Sequence, residues 1–309
     1  MKIVGLLALA VAWVAFSPEP LLAWGPGTHI ALGQSLLKAL FLLPPAIRAV
    51  IERHPAHFLY GSIAADISFA KKYVSEGRHC HSWHVGEEIL EAATNEPLRA
   101  VGYGYLSHLA ADTVAHNLFV PRQLLLTSTT QAIGHTYWEH RMDLHVGESF
   151  LAKARELVME HDHEEADALF DEVLSRTIFS FRTNRRIFRG MIRISDNDRW
   201  QQVFEQVLKN SRFDLPDDLV EEYFALSFEH VVGYLAEGAT SAAAALDPVG
   251  DLNLRLAKKV RRLTMARGGV EDPALLESTA DEFFPLPDDP PRYSRVLSKP
   301  LTRLGSALP

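Results

Sequence analysis

The chain has 309 residues, of which 47% are hydrophobic and 23% are charged, and this is enough apolar material for one large domain with a substantial core. Its formal net charge of -8 argues against a protein that grips a nucleic-acid backbone through bulk positive charge. Cys80 is the single cysteine, so an intramolecular disulfide is excluded and the fold must rest on its core and on any bound metal.

Residues 1–23 have the pattern of a secretory signal peptide. Lys2 precedes fourteen apolar residues, from Ile3 to Phe16, and a short segment then ends at Ala23. This apolar run is short for a membrane-spanning helix, which needs about 20 residues. We therefore expect cleavage after Ala23 and export to the periplasm or the extracellular space. An uncleaved membrane anchor is the alternative interpretation.

The rest of the chain carries apolar residues at helical spacing and few strand signals. Helices are predicted over 30–43, 45–53, 85–94, 98–119, 134–159, 163–181, 196–210, 217–237 and 250–265, with breaks at Pro44-Pro45, Pro121 and Gly268-Gly269. Prolines are frequent from Gly268 onward, which predicts an irregular tail over 268–309. The pattern as a whole predicts an all-α fold with a single multi-helical domain over residues 24–267.

Potential metal ligands recur at four-residue spacing in two runs. One run contains His108, Asp112 and His116, and the other contains His135 and Glu139. At about 100° per residue, positions i, i+4 and i+8 share one face of a helix. Imidazole and carboxylate are the side chains that zinc prefers in hydrolytic sites. The two runs therefore predict a zinc site built on two helices.

The order of these residues along the chain resembles a known family. Cleavage after Ala23 would make Trp24-Gly25-Pro26-Gly27-Thr28-His29 the mature N-terminus, whose α-amine and first carbonyl can chelate a metal. An initial Trp, a nearby His, an Asp, a His, a His-x-x-x-Asp run, a further His and a His-x-x-x-Glu pair resemble the bacterial zinc-dependent phospholipase C family, to which the fungal trinuclear-zinc single-strand nucleases are related. The resemblance covers residues 24 to about 145 and implies the multi-helical fold of those enzymes. The interval between Asp112 and His116 is shorter than in the bacterial phospholipases and is similar to that of glycosylphosphatidylinositol-specific phospholipase D.

The resemblance implies two to three Zn²⁺ ions that share one carboxylate. It assigns Asp66, His81, His108 and Asp112 to one ion, His116, His135 and Glu139 to a second, and Trp24, His29 and the shared Asp112 to a third. The early histidine remains open among His79, His81 and His84, and His81 is favoured because family members place this ligand just before a helix. The resemblance also implies that Asp66, besides ligating, orients or deprotonates the attacking water.

The function that the resemblance implies is that of an exported phosphoric ester hydrolase. It would hydrolyse phospholipids, or another phosphodiester, with metal-activated water and with transient contact to a membrane surface. A single-strand nuclease or nucleotidase is the alternative, disfavoured because secreted nucleases of that type usually carry disulfides. A third hypothesis is a non-catalytic protein in which zinc staples the helices through closed coordination spheres. No stable nucleic-acid partner is expected.

Overall fold

The computed structural model of the chain describes residues 24–67, 79–127, 131–160, 162–174, 181–195, 213, 215–268 and 272–297. Within these ranges the chain is helical and contains no strand, which confirms the predicted all-α fold. The predicted signal peptide and the predicted helix over 196–210 lie outside the described residues. None of the helices in the described ranges combines the length and the apolar character that a membrane crossing requires.

The α-helices are numbered here in chain order. They are α1 Pro26–Lys38, α2 Pro45–Arg53, α3 Pro55–Ala64, α4 Trp83–Glu91, α5 Glu96–Val114, α6 Val120–Thr127, α7 Gln131–Val146, α8 Glu148–Glu160, α9 Glu164–Val173, α10 Phe181–Ser195, α11 Asp217–Glu237, α12 Asp251–Gly268 and α13 Pro273–Phe283. Proline opens α1, α2 and α3, because the first turn of a helix does not need the N–H that proline lacks.

Helix α5 runs through the middle of the protein. Nearly all of its residues from Leu98 to Val114 are buried, including the polar residues His108 and Asp112. It packs against α3, α4 and α11. At the crossing with α3 the two backbones touch: a Cβ on Gly104 would lie 2.0 Å from the carbonyl oxygen of Phe58, and one on Gly61 would lie 2.1 Å from that of Val101. This close approach brings the end of α3 next to the second half of α5.

The helical path of α5 continues past the predicted break at Pro121, so that prediction is wrong. A π-helical turn, Ala115–Phe119, connects α5 to α6. Pro121 has no N–H to offer the carbonyl of Asn117, and the side-chain amide of Asn253 donates to that carbonyl instead, at 3.4 Å. The side chain of Asn117 in turn donates to the carbonyl of Thr113 at 2.8 Å. Side-chain amides thus satisfy carbonyls that the regular helix would leave to the backbone.

Four other segments differ from the sequence prediction. The helix predicted over 163–181 ends earlier, as α9 at Val173, and α10, Phe181–Ser195, was not predicted. Helix α3 was not predicted, because its residues from Phe58 to Ala64 are buried on all sides and show no polar stripe. The single helix predicted over 134–159 is divided into α7 and α8 at Gly147, whose φ of 111° is a left-handed conformation. The expected irregular tail is wrong for Pro273–Phe283, which forms α13. The i, i+4 spacing of Leu276 and Ala280 gives that helix an apolar stripe, which is buried in a small cluster with residues of α12.

Candidate metal centre

Five of the predicted ligands meet at one buried place beside α5. The chain delivers them from four segments: α5 itself, α1, the 3₁₀ turn Ala65–Ile67 that follows α3, and the residues just before α4. Each of the five side chains has at most 3% of its surface exposed, and they are His29, Asp66, His81, His108 and Asp112. Helical spacing explains only the pair on α5. The packing of α1 and α3 against the rest of the core brings in His29 and Asp66, and the segment before α4 brings in His81.

Asp112 lies at the middle of this group. One of its carboxylate oxygens, Oδ2, is 3.1 Å from Nε2 of His81 and 3.1 Å from Nε2 of His108. The other, Oδ1, is 3.3 Å from Nε2 of His29. The two oxygens therefore face different histidines, as the oxygens of a carboxylate shared by two cations would.

Asp66 approaches the same two histidines from the other side. Its Oδ1 is 3.4 Å from Nε2 of His81 and 3.8 Å from Nε2 of His108. The Nε2 atoms of these two imidazoles are 3.0 Å apart. Two carboxylates and two ring nitrogens thus surround one small volume.

Main-chain carbonyls fix the orientation of two of the predicted histidine ligands. Nδ1 of His108 is 2.9 Å from the carbonyl oxygen of Ser62, and Nδ1 of His116 contacts the carbonyl oxygen of Pro248. A carbonyl can only accept, so Nδ1 carries the hydrogen, and Nε2 of the neutral ring presents its lone pair. Metal-ligating histidines are commonly oriented in this way by a second partner.

Burial and charge act in opposite directions on the titration of these groups. Burial, with repulsion from His108, lowers the pKa of His29 to about 4. Burial also lowers the pKa of His108, but the carboxylates of Asp112 and Asp66 outweigh it and raise this pKa above its ordinary value. Burial alone would raise the pKa of Asp112, yet His108 and the neighbouring imidazoles hold it well below its ordinary range. Asp112 therefore stays an anion although it is enclosed.

These residues fit a bound cation. Both oxygens of Asp112 and both ring nitrogens of His29 are buried without a hydrogen bond to any described residue, which is costly for polar atoms in a protein interior. A tetrahedral zinc ion with bonds of about 2.0–2.1 Å holds its donor atoms about 3.3 Å apart. The separations between the donor atoms here run from 3.0 to 3.8 Å. Donor atoms also converge within 4.8 Å in the sets His29, Asp66, His108 and His81, His108, Asp112.

Of the remaining predicted ligands, the structure describes the side chains of Trp24, His116 and Glu139. His116 is in the π-helical turn, and its ring centroid is 6.4 Å from that of His81. Glu139 is buried in α7, a helix that packs against α1. The indole N–H of Trp24 donates to the carbonyl of Ala111 at 3.1 Å, which anchors the start of the described chain beside Asp112. The side chain of His135 lies outside the described part of the chain, and its assignment stays a prediction.

The choice among the three early histidines can be compared with the structure. His81 belongs to the buried group, whereas His84 is exposed. His79 is half-buried, and its Nδ1 accepts a hydrogen bond from the backbone N–H of His81 at 3.1 Å. The hydroxyl of Tyr105 donates to the carbonyl of Cys80 at 2.6 Å and so ties the segment that carries His81 to α5. Sequence reasoning missed this role of Tyr105, because its residue type does not reveal the partner of its hydroxyl.

A short segment from the last third of the chain closes against the site. The carbonyls of Leu246, Asp247 and Pro248 accept hydrogen bonds from the side chains of Trp83, Asn117 and His116, respectively. Gly250 follows with φ of 62°, and a Cβ at this position would lie 2.4 Å from Cβ of His116. This segment, Leu246–Gly250, was missed as well, because a main-chain carbonyl has no residue type by which a sequence could reveal it.

Comparison with known proteins gives one family. A family model described as zinc-dependent phospholipase C matches residues 28–185, about half of the chain. Searches of curated proteins and of solved structures give no significant match. The matched region includes every predicted ligand except Trp24, and the buried histidine and aspartate groups in it can bind metal. The chain therefore belongs to the zinc-dependent phospholipase C family.

Proposed function

We propose that the protein is an exported, zinc-dependent phosphodiesterase that hydrolyses phospholipids. Its family supports a phosphoric ester hydrolase that depends on zinc. The observation that carries the finer proposal is the position of Asp112, whose two oxygens face separate groups of imidazoles. A carboxylate placed in this way can hold two cations and partly neutralise their mutual repulsion. Such a pair of cations suits the hydrolysis of a phosphodiester.

Each residue of the site has a proposed role. When bound, two to three zinc ions would hold the phosphate oxygens and bring the pKa of a water towards neutrality. Asp66, His81, His108 and Asp112 would hold one position, His116, His135 and Glu139 a second, and Trp24, His29 and Asp112 a third. Asp66 is the proposed catalytic carboxylate that orients the water and takes its proton. The carbonyls of Ser62 and Pro248 keep the imidazoles aimed at the site.

Export is part of the proposal because the third position depends on it. Trp24 can offer an α-amine only as the first residue, after cleavage behind Ala23. The buried indole of Trp24, held by the carbonyl of Ala111, supports an N-terminus fixed at this place. Mass spectrometry of the exported protein should find Trp24 first, and a variant that retains Ala23 should lose one zinc ion. A different first residue with full zinc content would contradict the N-terminal chelate.

A zinc-stapled protein without catalysis is the second candidate, and the near-complete burial of the five clustered side chains favours it over a nuclease. Structural zinc sites are closed, whereas catalytic sites keep an open position for water and substrate. Such a protein would unfold at a much lower temperature after chelation, because zinc bound only to the folded state stabilises that state. It would not turn over any phosphoester.

The test is a substrate panel with the zinc-loaded protein. Vesicles of phosphatidylcholine, vesicles containing phosphatidylinositol and single-stranded oligonucleotides are offered to wild type, to Asp66→Asn and to the control Asp272→Asn, whose carboxylate caps α13. We expect turnover of lipid, its loss by orders of magnitude in Asp66→Asn, and no loss in the control. Turnover of oligonucleotides alone would establish the nuclease, and no turnover with a sharp loss of thermal stability on chelation would establish the stapled protein.

A further inference from the structure

Asp143 is a buried carboxylate to which the proposed chemistry gives no role. It lies in α7, four residues after Glu139, and 2% of its surface is exposed. Its oxygens reach across to the first turn of α1. Oδ2 accepts from the backbone N–H of Gly27 at 3.1 Å, and Oδ1 accepts from the backbone N–H of Thr28 at 2.8 Å and from its hydroxyl at 2.7 Å. Three donors of one short segment thus converge on a single side chain.

The start of α1 is built to receive a carboxylate from another helix. The first N–H groups of a helix need acceptors, which the side chain of the residue before the helix usually supplies. Here that residue is Gly25, which has no side chain to offer. A Cβ on Gly25 would lie 2.1 Å from Oδ2 of Asp143, and one on Gly27 would lie 3.1 Å from its Cγ. The two glycines therefore leave the space that the Asp143 carboxylate fills.

The segment that Asp143 holds is the one that carries the proposed third metal position. Thr28 directly precedes His29, whose Nε2 is 3.3 Å from Oδ1 of Asp112. At the other end of the segment, the indole of Trp24 is bonded to the carbonyl of Ala111. Asp143 contacts Gly27 and Thr28, which lie between Trp24 and His29. It also fixes this segment relative to α7, the helix that carries Glu139.

We propose that Asp143 is a positioning residue that holds residues 24–29 so that Trp24 and His29 reach the third zinc position. The inference rests on the proposed function only in the assignment of that third ion. Because the carboxylate replaces a helix cap and its hydrogen bonds go to Gly27 and Thr28, its removal should act on the N-terminal segment and leave the His81, His108 and Asp112 group in place. A residue that merely capped α1 would change local stability without changing the number of zinc ions.

The test compares Asp143→Asn with Asp272→Asn, a matched control. Asp272 also accepts from the first N–H groups of a helix, Ala274 N–H at 3.1 Å and Leu275 N–H at 3.3 Å, but it does so as the exposed N-cap residue of α13 itself. Exported protein, with its first residue checked by mass spectrometry, is equilibrated with buffered zinc, and bound zinc is counted by elemental analysis. Hydrogen exchange of the α1 amides is measured in parallel. We expect Asp143→Asn to lose one ion, as His29→Ala does, and to exchange faster in the first turn of α1, while Asp272→Asn keeps the wild-type zinc content.

Thr28→Val serves if Asp143→Asn does not fold. It removes only the hydroxyl donor and preserves the shape of the side chain. In a zinc titration we expect the affinity for the last ion that binds to fall about tenfold. This is the low end of the loss expected when a residue that orients a ligand is removed. Unchanged zinc content in Asp143→Asn despite faster exchange in α1 would overturn the inference. So would a His29→Ala variant that holds as much zinc as wild type. A protein that hydrolyses no lipid but shows the selective loss of one ion would refute the proposed function and leave the role of Asp143 supported.

Discussion

Alanine at position 104 should destabilise the protein, whereas alanine at position 233 should stabilise it. Both glycines lie inside helices, α5 and α11, so in each case alanine brings the same gain in helix propensity, about 0.8–1.0 kcal/mol. Their surroundings differ. A Cβ at Gly104 would meet the carbonyl oxygen of Phe58 at 2.0 Å and the amide nitrogen of Ser62 at 2.8 Å. Among the described residues, a Cβ at Gly233 would meet only Cβ of Ser241, at 3.9 Å.

The magnitude follows from what has to move. Real Cβ atoms essentially never come closer than 3.0 Å to another heavy atom, so α3 and α5 would separate by about 1 Å. The obstacles are backbone atoms that cannot rotate away, and the cost should lie at the upper end of overpacking, about 3 kcal/mol. After the gain in propensity, Gly104→Ala should lose about 2 kcal/mol and Gly233→Ala should gain about 1 kcal/mol. The melting temperature should therefore fall by about 4–8 °C in Gly104→Ala and rise by about 2–4 °C in Gly233→Ala.

Thermal unfolding followed by circular dichroism, with zinc and with excess chelator, measures both variants. The fall in Gly104→Ala should be larger with zinc, because the shift of α3 also displaces the Ser62 carbonyl that orients His108. If Gly104→Ala melted at the wild-type temperature, or if Gly233→Ala lost as much stability, the backbone contact between α3 and α5 could not be the cause and the reasoning would fail.

Three further predictions concern the site and its neighbourhood. Asp112→Asn should remove zinc from two positions, because its two oxygens face different histidines, and unchanged zinc content by elemental analysis would reject the shared ligand. Gly250→Ala should weaken zinc binding about 10- to 100-fold in calorimetric titration, since the added methyl group would lie 2.4 Å from Cβ of His116; Val249→Ala is the control. His230→Gln should flatten the loss of stability in acid. Burial lowers the pKa of His230 from 6.5 to about 4, so below pH 6.5 the unfolded chain takes up a proton that the folded chain does not, and stability falls as the pH drops from 6.5 towards 4. This loss is about 2 kcal/mol at about pH 5. Urea unfolding of the metal-free proteins at about pH 7 and about pH 5 measures it. If the free energy of unfolding fell by the same amount in wild type and in His230→Gln, the prediction would be contradicted.

The parts of the site that the sequence predicts well are those set by local helix geometry. His108 and Asp112 share a face because α5 is regular between them, and their four-residue spacing was sufficient to predict this. The position of His116 follows from the same spacing only approximately, since a π-helical turn intervenes. Pro121 indicated an irregularity but predicted a break in the helix. The helix continues because the amide of Asn253, from a distant part of the chain, donates to the carbonyl that Pro121 leaves without a partner.

Other features could not be predicted because their causes are not local. Helix α3 is apolar on all sides, so periodicity gave no indication of it, and its place is fixed by the glycines of the α3 and α5 crossing. Helix α13 was obscured by the prolines around it. The acceptors that orient His108 and His116 are main-chain carbonyls, and any residue can supply a carbonyl. What the sequence reveals is therefore the set of ligand side chains and not the scaffold that aims them.

The segment Leu246–Gly250 supports the metal centre although it lies outside the residues that match the family. Family similarity ends at residue 185, yet three consecutive carbonyls beyond it hold Trp83, Asn117 and His116 in place. A protein shortened to the matched residues 28–185 would keep every predicted ligand except Trp24 and would lose the carbonyl of Pro248 that orients His116. Because these bonds use the main chain, the side chains of this segment can drift over evolutionary time with little effect on the metal centre. Gly250 is an exception, because a Cβ at this position would lie 2.4 Å from Cβ of His116.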